Sequence, residues 1–295
     1  VVSMLIFPAL ASAQGMKDLE DWPQKYKKME RKSPFDEMVK DTEMKRGLFT
    51  LYRKKDHLYL EIQPSQLEKN FIMILTLEKG LGIRDLLGGL PIDEYVLTFR
   101  RMKDKVMWIR RNPYFRAAKG TPVGRALEHA FSDSILSIFP IEAEHPKTGA
   151  LLIDIQPYLL SDIPALSFAL QEALGGEYSL NKDASDLSDL KVFPENIEFG
   201  TRYNYVTSTP RYIEGLPDAR SVELGVRYSL SQLPENEYRP RLADDRVGYF
   251  LVALKDFSSD NPRTPFVRYI LSAGTWRKQT PLPPFPHPKS PSYSG

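Results

Sequence analysis

A chain of 295 residues with 42% hydrophobic and 26% charged side chains has room for one large cored domain or two small ones, and its composition is that of an ordinary globular protein. A formal net charge of +2 is too balanced to argue for a nucleic-acid binder, where a concentrated basic footprint is expected. Cysteine is absent, which excludes disulfides, thiolate nucleophiles and Cys-ligated metals.

Residues 1–10 are apolar apart from Ser3, and Ala11-Ser12-Ala13 follows. This small-x-small pattern suits the shallow pockets of a signal peptidase, so residues 1–13 read as part of a signal peptide, cut after Ala13 to leave Gln14 first. A charged start and an initiating Met are missing, so the chain is expected to begin inside that peptide and to be exported. Residues 14–46 read as a charged helical lead-in. Its densest basic run (Lys25, Lys27, Lys28, Arg31, Lys32) is interrupted by Glu30 and reads as a solvated helix face. Ser33-Pro34 can open a short helix through Phe35, Met38 and Val39.

From Gly47 the pattern turns to β. Residues 48–53 and 58–62 are strand-like runs about a polar turn, and 71–77 is a third. A Gly-rich loop spans 80–91, and 95–101 with 106–111 makes a second hairpin about Lys103-Asp104. Leu127, Phe131, Ile135 and Ile138 recur at spacings of four, four and three, which predicts a helix over 124–138 ended by Pro140. A short buried strand is expected at 150–155, and a helix over 164–174 with Gly175-Gly176 at its end. Residues 197–206 and 221–230 alternate apolar and polar as half-buried strands do, and 247–254 is a further strand. The fold class is therefore α+β: mainly antiparallel sheet in hairpins or a meander, with two or so packed helices, over residues 47–271. Six prolines between Pro281 and Pro291 mark 272–295 as a disordered tail. No stretch approaches the roughly 20 apolar residues of a transmembrane span.

Candidate chemistry is sparse. The histidines are His57, His129, His145 and His287, and none pairs at the i, i+4 spacing of a zinc helix. Arg125 to His129 has the shape H-x-x-E-H with Arg in the first ligand position, and a guanidinium does not ligate zinc. His129 and Asp133 lie one turn apart, a two-ligand face at most. Gly80-Leu81-Gly82-Ile83-Arg84-Asp85 follows a strand as a dinucleotide loop would, but Asp85 would repel a pyrophosphate, so a glycine-rich turn is expected. Asp244-Asp245 suits Ca²⁺ or a shared proton, yet Arg239, Arg241 and Arg246 favour an ion-pair cluster. Tyr203, Tyr205, Tyr228 and Tyr249 could line a ligand face or sit half-buried in a sheet. The residues thus assign no catalytic, cofactor-binding or metal-binding position.

Several blocks in order resemble the N-terminal domain of unknown function of large bacterial secreted zinc-dependent, metzincin-like metalloproteases. They are Gly47 to Lys54, Leu58 to Ile62, Gly88-Gly89-Leu90-Pro91, Arg111-Asn112-Pro113, Phe139 to Ala143 and Phe193-Pro194-Glu195-Asn196. The most specific runs from Arg239 to Phe250, with Asp256-Phe257 beyond. The resemblance implies a non-catalytic accessory or prodomain-like module, exported to the periplasm, outer envelope or medium. Its partner would be a metalloprotease catalytic domain, in cis or as a separate chain, and the zinc would belong to that domain. The family's H-E-x-x-H-x-x-G-x-x-H motif has no counterpart here, so the chain is expected to be truncated before the zinc site and inactive alone. The rival reading is a free-standing exported β-rich binding module with the tyrosine-bearing sheet as its ligand face.

Overall fold

The computed structural model describes residues 33–83, 86–234, 251–258 and 266–271. The cleavage-site residues Ala11, Ala13 and Gln14, the basic run up to Lys32, Asp244-Asp245 with its arginines, Tyr249, His287 and the proline-rich tail lie outside them. The fold is α+β and mainly antiparallel, as the alternation predicted. The chain forms two compact units, one of residues 1–109 and 135–232, the other of 110–134 and 233–295.

The first unit holds two sheets. One has the order β1 (Glu43–Arg46), β2 (Thr50–Lys54), β3 (His57–Ile62), β10 (Leu151–Asp154), β9 (Ala143–Glu144). The other has the order β11 (Ser179–Val192), β12 (Asn196–Val206), β13 (Ser221–Gln232), β4 (Asn70–Lys79), β5 (Pro91–Met102), β6 (Lys105–Arg110), β8 (Ser134–Pro140). Both send their alternate apolar residues into one core. Leu51, Leu58, Leu60, Ile62, Leu151 and Ile153 come from the five-stranded sheet, and Phe71, Met73, Leu97 and Phe99 from the seven-stranded one. Each such side chain contributes roughly 1.5–3 kcal/mol by leaving water. Trp108 is fully buried among Phe99, Phe139 and Tyr158, with ring centroids 4.9–5.8 Å away.

Helix α1 (Pro34–Met38) starts as expected, with Ser33 and Asp36 forming a capping box. Its Phe35 covers the opposite face of the five-stranded sheet, over Tyr52, Tyr59 and Leu152. Beyond β10 come α3 (Gln156–Leu159) and α4 (Leu166–Leu174). Leu166, Leu170 and Leu174 put one stripe of α4 into the core, and Gly175, at φ 72°, ends it in the left-handed conformation glycine takes without strain.

The second unit contains α2 (Pro122–Ala130) and a three-stranded sheet of order β15 (Phe266–Leu271), β14 (Leu251–Asp256), β7 (Phe115–Arg116). Here one sequence expectation fails. The predicted helix over 124–138 stops at Ala130, and residues 134–140 are strand β8. Phe131 is extended, at φ −128° and ψ 97°, and its ring stacks on Phe115 at 3.6 Å between centroids. Asp133 then accepts hydrogen bonds from Arg111 Nη1 (2.7 Å) and the Asn112 amide (2.9 Å), which holds the chain away from the helix axis. The apolar spacing read as a helix face divides between a helix end and a strand whose Ile135 and Ile138 are β-branched.

Candidate functional site

The candidate positions from the sequence separate into three outcomes. His129 is exposed at the end of α2, and Asp133 lies past that end in its ion pair with Arg111, so the two do not share a helical face. His145 Nδ1 accepts the amides of Lys147 and Thr148 and serves a turn. His57 Nδ1 lies 2.6 Å from Asp154 Oδ2, and its ring stacks on Tyr59. Among the described residues no group of three or more His, Asp or Glu side chains is placed to hold a metal.

The glycine-rich loop closes on itself. The Leu81 and Gly82 amides both donate to the Leu86 carbonyl, at 2.8 and 3.3 Å, where a phosphate-binding loop would leave its amides open. A Cβ on Gly80 would stand 2.1 Å from that carbonyl oxygen, so the close approach requires glycine. The segment leads from β4 into β5, strand to strand.

The tyrosines are a correction to the ligand-face reading. Tyr203, Tyr205 and Tyr228 are all at most 1% exposed. Tyr203 donates to the Leu159 carbonyl, an orphan acceptor at the end of α3, and Tyr228 therefore donates to Tyr203 at 2.7 Å. Tyr205 donates to Asp162 Oδ1 at 2.7 Å. The same carboxylate takes the Leu166 amide at 2.8 Å and both the amide and the hydroxyl of Ser167, capping the first turn of α4. Burial raises the Tyr203 hydroxyl to about 12, against the hydrogen bonds from Tyr228 and Thr201, and pushes Tyr205 and Tyr228 up as well. Hydroxyls held this way position a helix against a sheet.

A different place is open. Antiparallel register sets Arg46 opposite Thr50, Thr50 opposite Glu61, and Glu61 opposite Leu152, one row across the face of the five-stranded sheet away from the core. Tyr52 and Tyr59 form the next row. Helix α1 lies over one end, and beside it is a groove of about 640 Å³ bordered by Asp36, Arg46, Gln63 and His145. Glu61 is on its floor, only 9% exposed. Its Oε2 accepts the Tyr52 hydroxyl at 2.8 Å and its Oε1 the Gln63 amide at 2.6 Å. Burial, then the Glu61 bond, raises the Tyr52 hydroxyl well above its ordinary range. Ser33's hydroxyl bond holds Asp36 below the usual carboxylate range, although burial opposes it. Among the described residues Glu61 has no cationic partner. The floor is thus a buried carboxylate held by two neutral donors, Tyr52 and Gln63.

On the outer face of the seven-stranded sheet Arg227 has the contrary arrangement. Its guanidinium holds Glu78, holds Asp189 at 3.0 and 3.3 Å, and lies 3.6 Å from Glu198. Burial works to raise Asp189, but Arg227 and Lys191 keep it below the usual range. This cluster is fully paired and reads as structural.

The model for the Domain of unknown function DUF5117 matches residues 89–272, well over half of the chain. The chain belongs to the DUF5117 family. A second model, the Domain of unknown function DUF5118, matches residues 32–80. No curated protein and no solved structure matches the chain. In this DUF5117 protein the two matched segments are not separable bodies. β4, from the first segment, pairs with β5 and β13 of the second, and β3 pairs with β10.

Proposed function

We propose that this chain is a non-catalytic accessory, prodomain-like module of an exported bacterial zinc metalloprotease, which packs against or shields a catalytic domain supplied in cis or as a separate chain. The observation that carries this reading is the ordered series of sequence blocks from Gly47 to Phe250 that resembles the N-terminal domain of such proteases. Two of those blocks, far apart in sequence, meet: the Leu48 amide donates to the Phe193 carbonyl at 2.8 Å, and a Cβ on Gly47 would stand 2.3 Å from that oxygen. Blocks that hold one another in place suit a scaffold. Ile135, 55% exposed on the edge strand β8, offers apolar surface for a partner. Among the described residues no helix is long and apolar enough to cross a membrane. The zinc would belong to the catalytic partner.

Co-expression with an H-E-x-x-H protease domain of the resembling family, followed by pull-down and thermal denaturation, tests the reading. Co-purification with a melting temperature that rises with partner concentration is expected. A chain that melts cooperatively and is indifferent to the partner would replace this reading with the second one, a free-standing exported binding module. The groove over Glu61 is the feature that favours that alternative.

A further inference from the structure

We infer that the groove beside α1 is a binding site for the guanidinium of an arginine side chain carried by an extended peptide. The inference stands independently of the accessory role. It starts from Glu61, which is 9% exposed on the groove floor. A buried carboxylate is tolerated where it is paired or hydrogen-bonded, and its remaining lone pairs are then the strongest acceptors in reach.

A carboxylate has about four acceptor positions. In Glu61 one position on each oxygen is filled, by Tyr52 on Oε2 and Gln63 on Oε1. One position on each oxygen remains. Two parallel acceptors on the two oxygens of one carboxylate match the fork of a guanidinium, which donates two parallel N–H bonds; an ammonium, a point donor, does not make that pair. Both filled positions are supplied by neutral donors, and Arg46, which lines the same groove, makes no ion pair with the carboxylate.

The walls fit the same ligand. Tyr52 and Phe35 border the groove as aromatic walls, 7% and 3% exposed. The charged groups at the rim are Asp36 and Arg46, with His145 at the α1 side, where its ring meets Phe35 edge-on at 5.0 Å. Arg46 stands in the same cross-strand row as Glu61, separated from it by Thr50. It therefore disfavours a run of basic residues and favours an arginine whose neighbour is neutral or acidic.

The test is calorimetric titration of the full chain with acetyl-Ala-Arg-Ala-amide. Its isosteric neutral citrulline counterpart and acetyl-Ala-Lys-Ala-amide are titrated in parallel. Saturable binding of the arginine peptide is expected, with both other peptides weaker by about tenfold or more, since each lacks either the charge or the fork. Glu61→Gln, which keeps the shape and bonding partners of the side chain, should weaken the arginine peptide by a similar factor at an unchanged melting temperature. Tyr52→Phe should weaken it less. The inference is overturned if the citrulline or lysine peptide binds as well as the arginine peptide. It is equally overturned if E61Q binds like the parent, or if no arginine peptide saturates the full chain.

Discussion

Tyrosine hydroxyls serve both sheets of the first unit, with opposite results. In the seven-stranded sheet Tyr203, Tyr205 and Tyr228 point into the core, and each hydroxyl ends on a protein acceptor. In the five-stranded sheet Tyr52 lies on the other face, and its hydroxyl ends on a carboxylate that keeps acceptor positions free at the floor of a groove. A polar group in a sheet is scaffold where the protein satisfies all of it. It is a recognition element where the remaining valence faces solvent. The seven-stranded sheet has the richer aromatic pattern, and the five-stranded one holds the open chemistry.

The sharpest break of this contrast is to divide the chain. If the two domain segments form one fold through β4 and β3, a fragment ending at Gly80 should show no cooperative melt, and neither should one beginning at Gly89. Circular dichroism and thermal denaturation of each fragment check this, and a cooperative transition in either would separate what the strand pairing joins.

Next in size is Asp162→Ala. It removes the cap of α4 and leaves the Tyr205 hydroxyl without its acceptor, so a loss of about 2–4 kcal/mol in urea denaturation is expected. High pH should act on the same tyrosines. In the folded state the Tyr203 hydroxyl is pushed up to about 12, against an ordinary value of 10.0. The folded protein then keeps a proton that the unfolded chain releases. Stability is therefore full below pH 10 and falls as pH rises toward 12. Thermal melts between pH 8 and 12 should show that decline, and it should be shallower in Tyr203→Phe.

The groove side should respond far less. Glu61→Gln is expected to change stability by no more than about 1 kcal/mol, because Tyr52 and Gln63 keep a partner. His129→Ala, at an exposed helix end, should stay within about 0.5 kcal/mol.

The two sheets were unequally legible in the sequence. Strands β12 and β13 were plain because Ile197, Phe199, Thr201, Tyr203 and Tyr205, and Val222 through Leu230, alternate without a break and are buried as read. Strand β11 carried no such signal. Its pairing with β12 shifts register twice, between Asn181 and Asp186 and between Leu187 and Leu190, and each bulge resets the two-residue period. Strand β1 is four residues of mixed charge, Glu43–Arg46, and read as part of the lead-in.

The groove was hidden for a related reason. In Leu58-Tyr59-Leu60-Glu61-Ile62 the glutamate takes the polar position of an ordinary half-buried strand. Only the cross-strand register, which brings the Tyr52 hydroxyl to it and lays α1 beside it, turns that position into a floor. The buried role of the tyrosines was hidden too. Alternation places them on a face without saying whether that face meets solvent or a helix cap such as Asp162.

Chemical-shift mapping of the full chain during titration with acetyl-Ala-Arg-Ala-amide separates the two regions in one measurement. The expected result is a set of saturating shifts confined to Phe35–Arg46, Thr50–Gln63 and the neighbourhood of His145, with Tyr203, Tyr205 and Tyr228 unmoved. Shifts centred on those three tyrosines, with the amides around Glu61 silent, would contradict the assignment of scaffold to one sheet and recognition to the other.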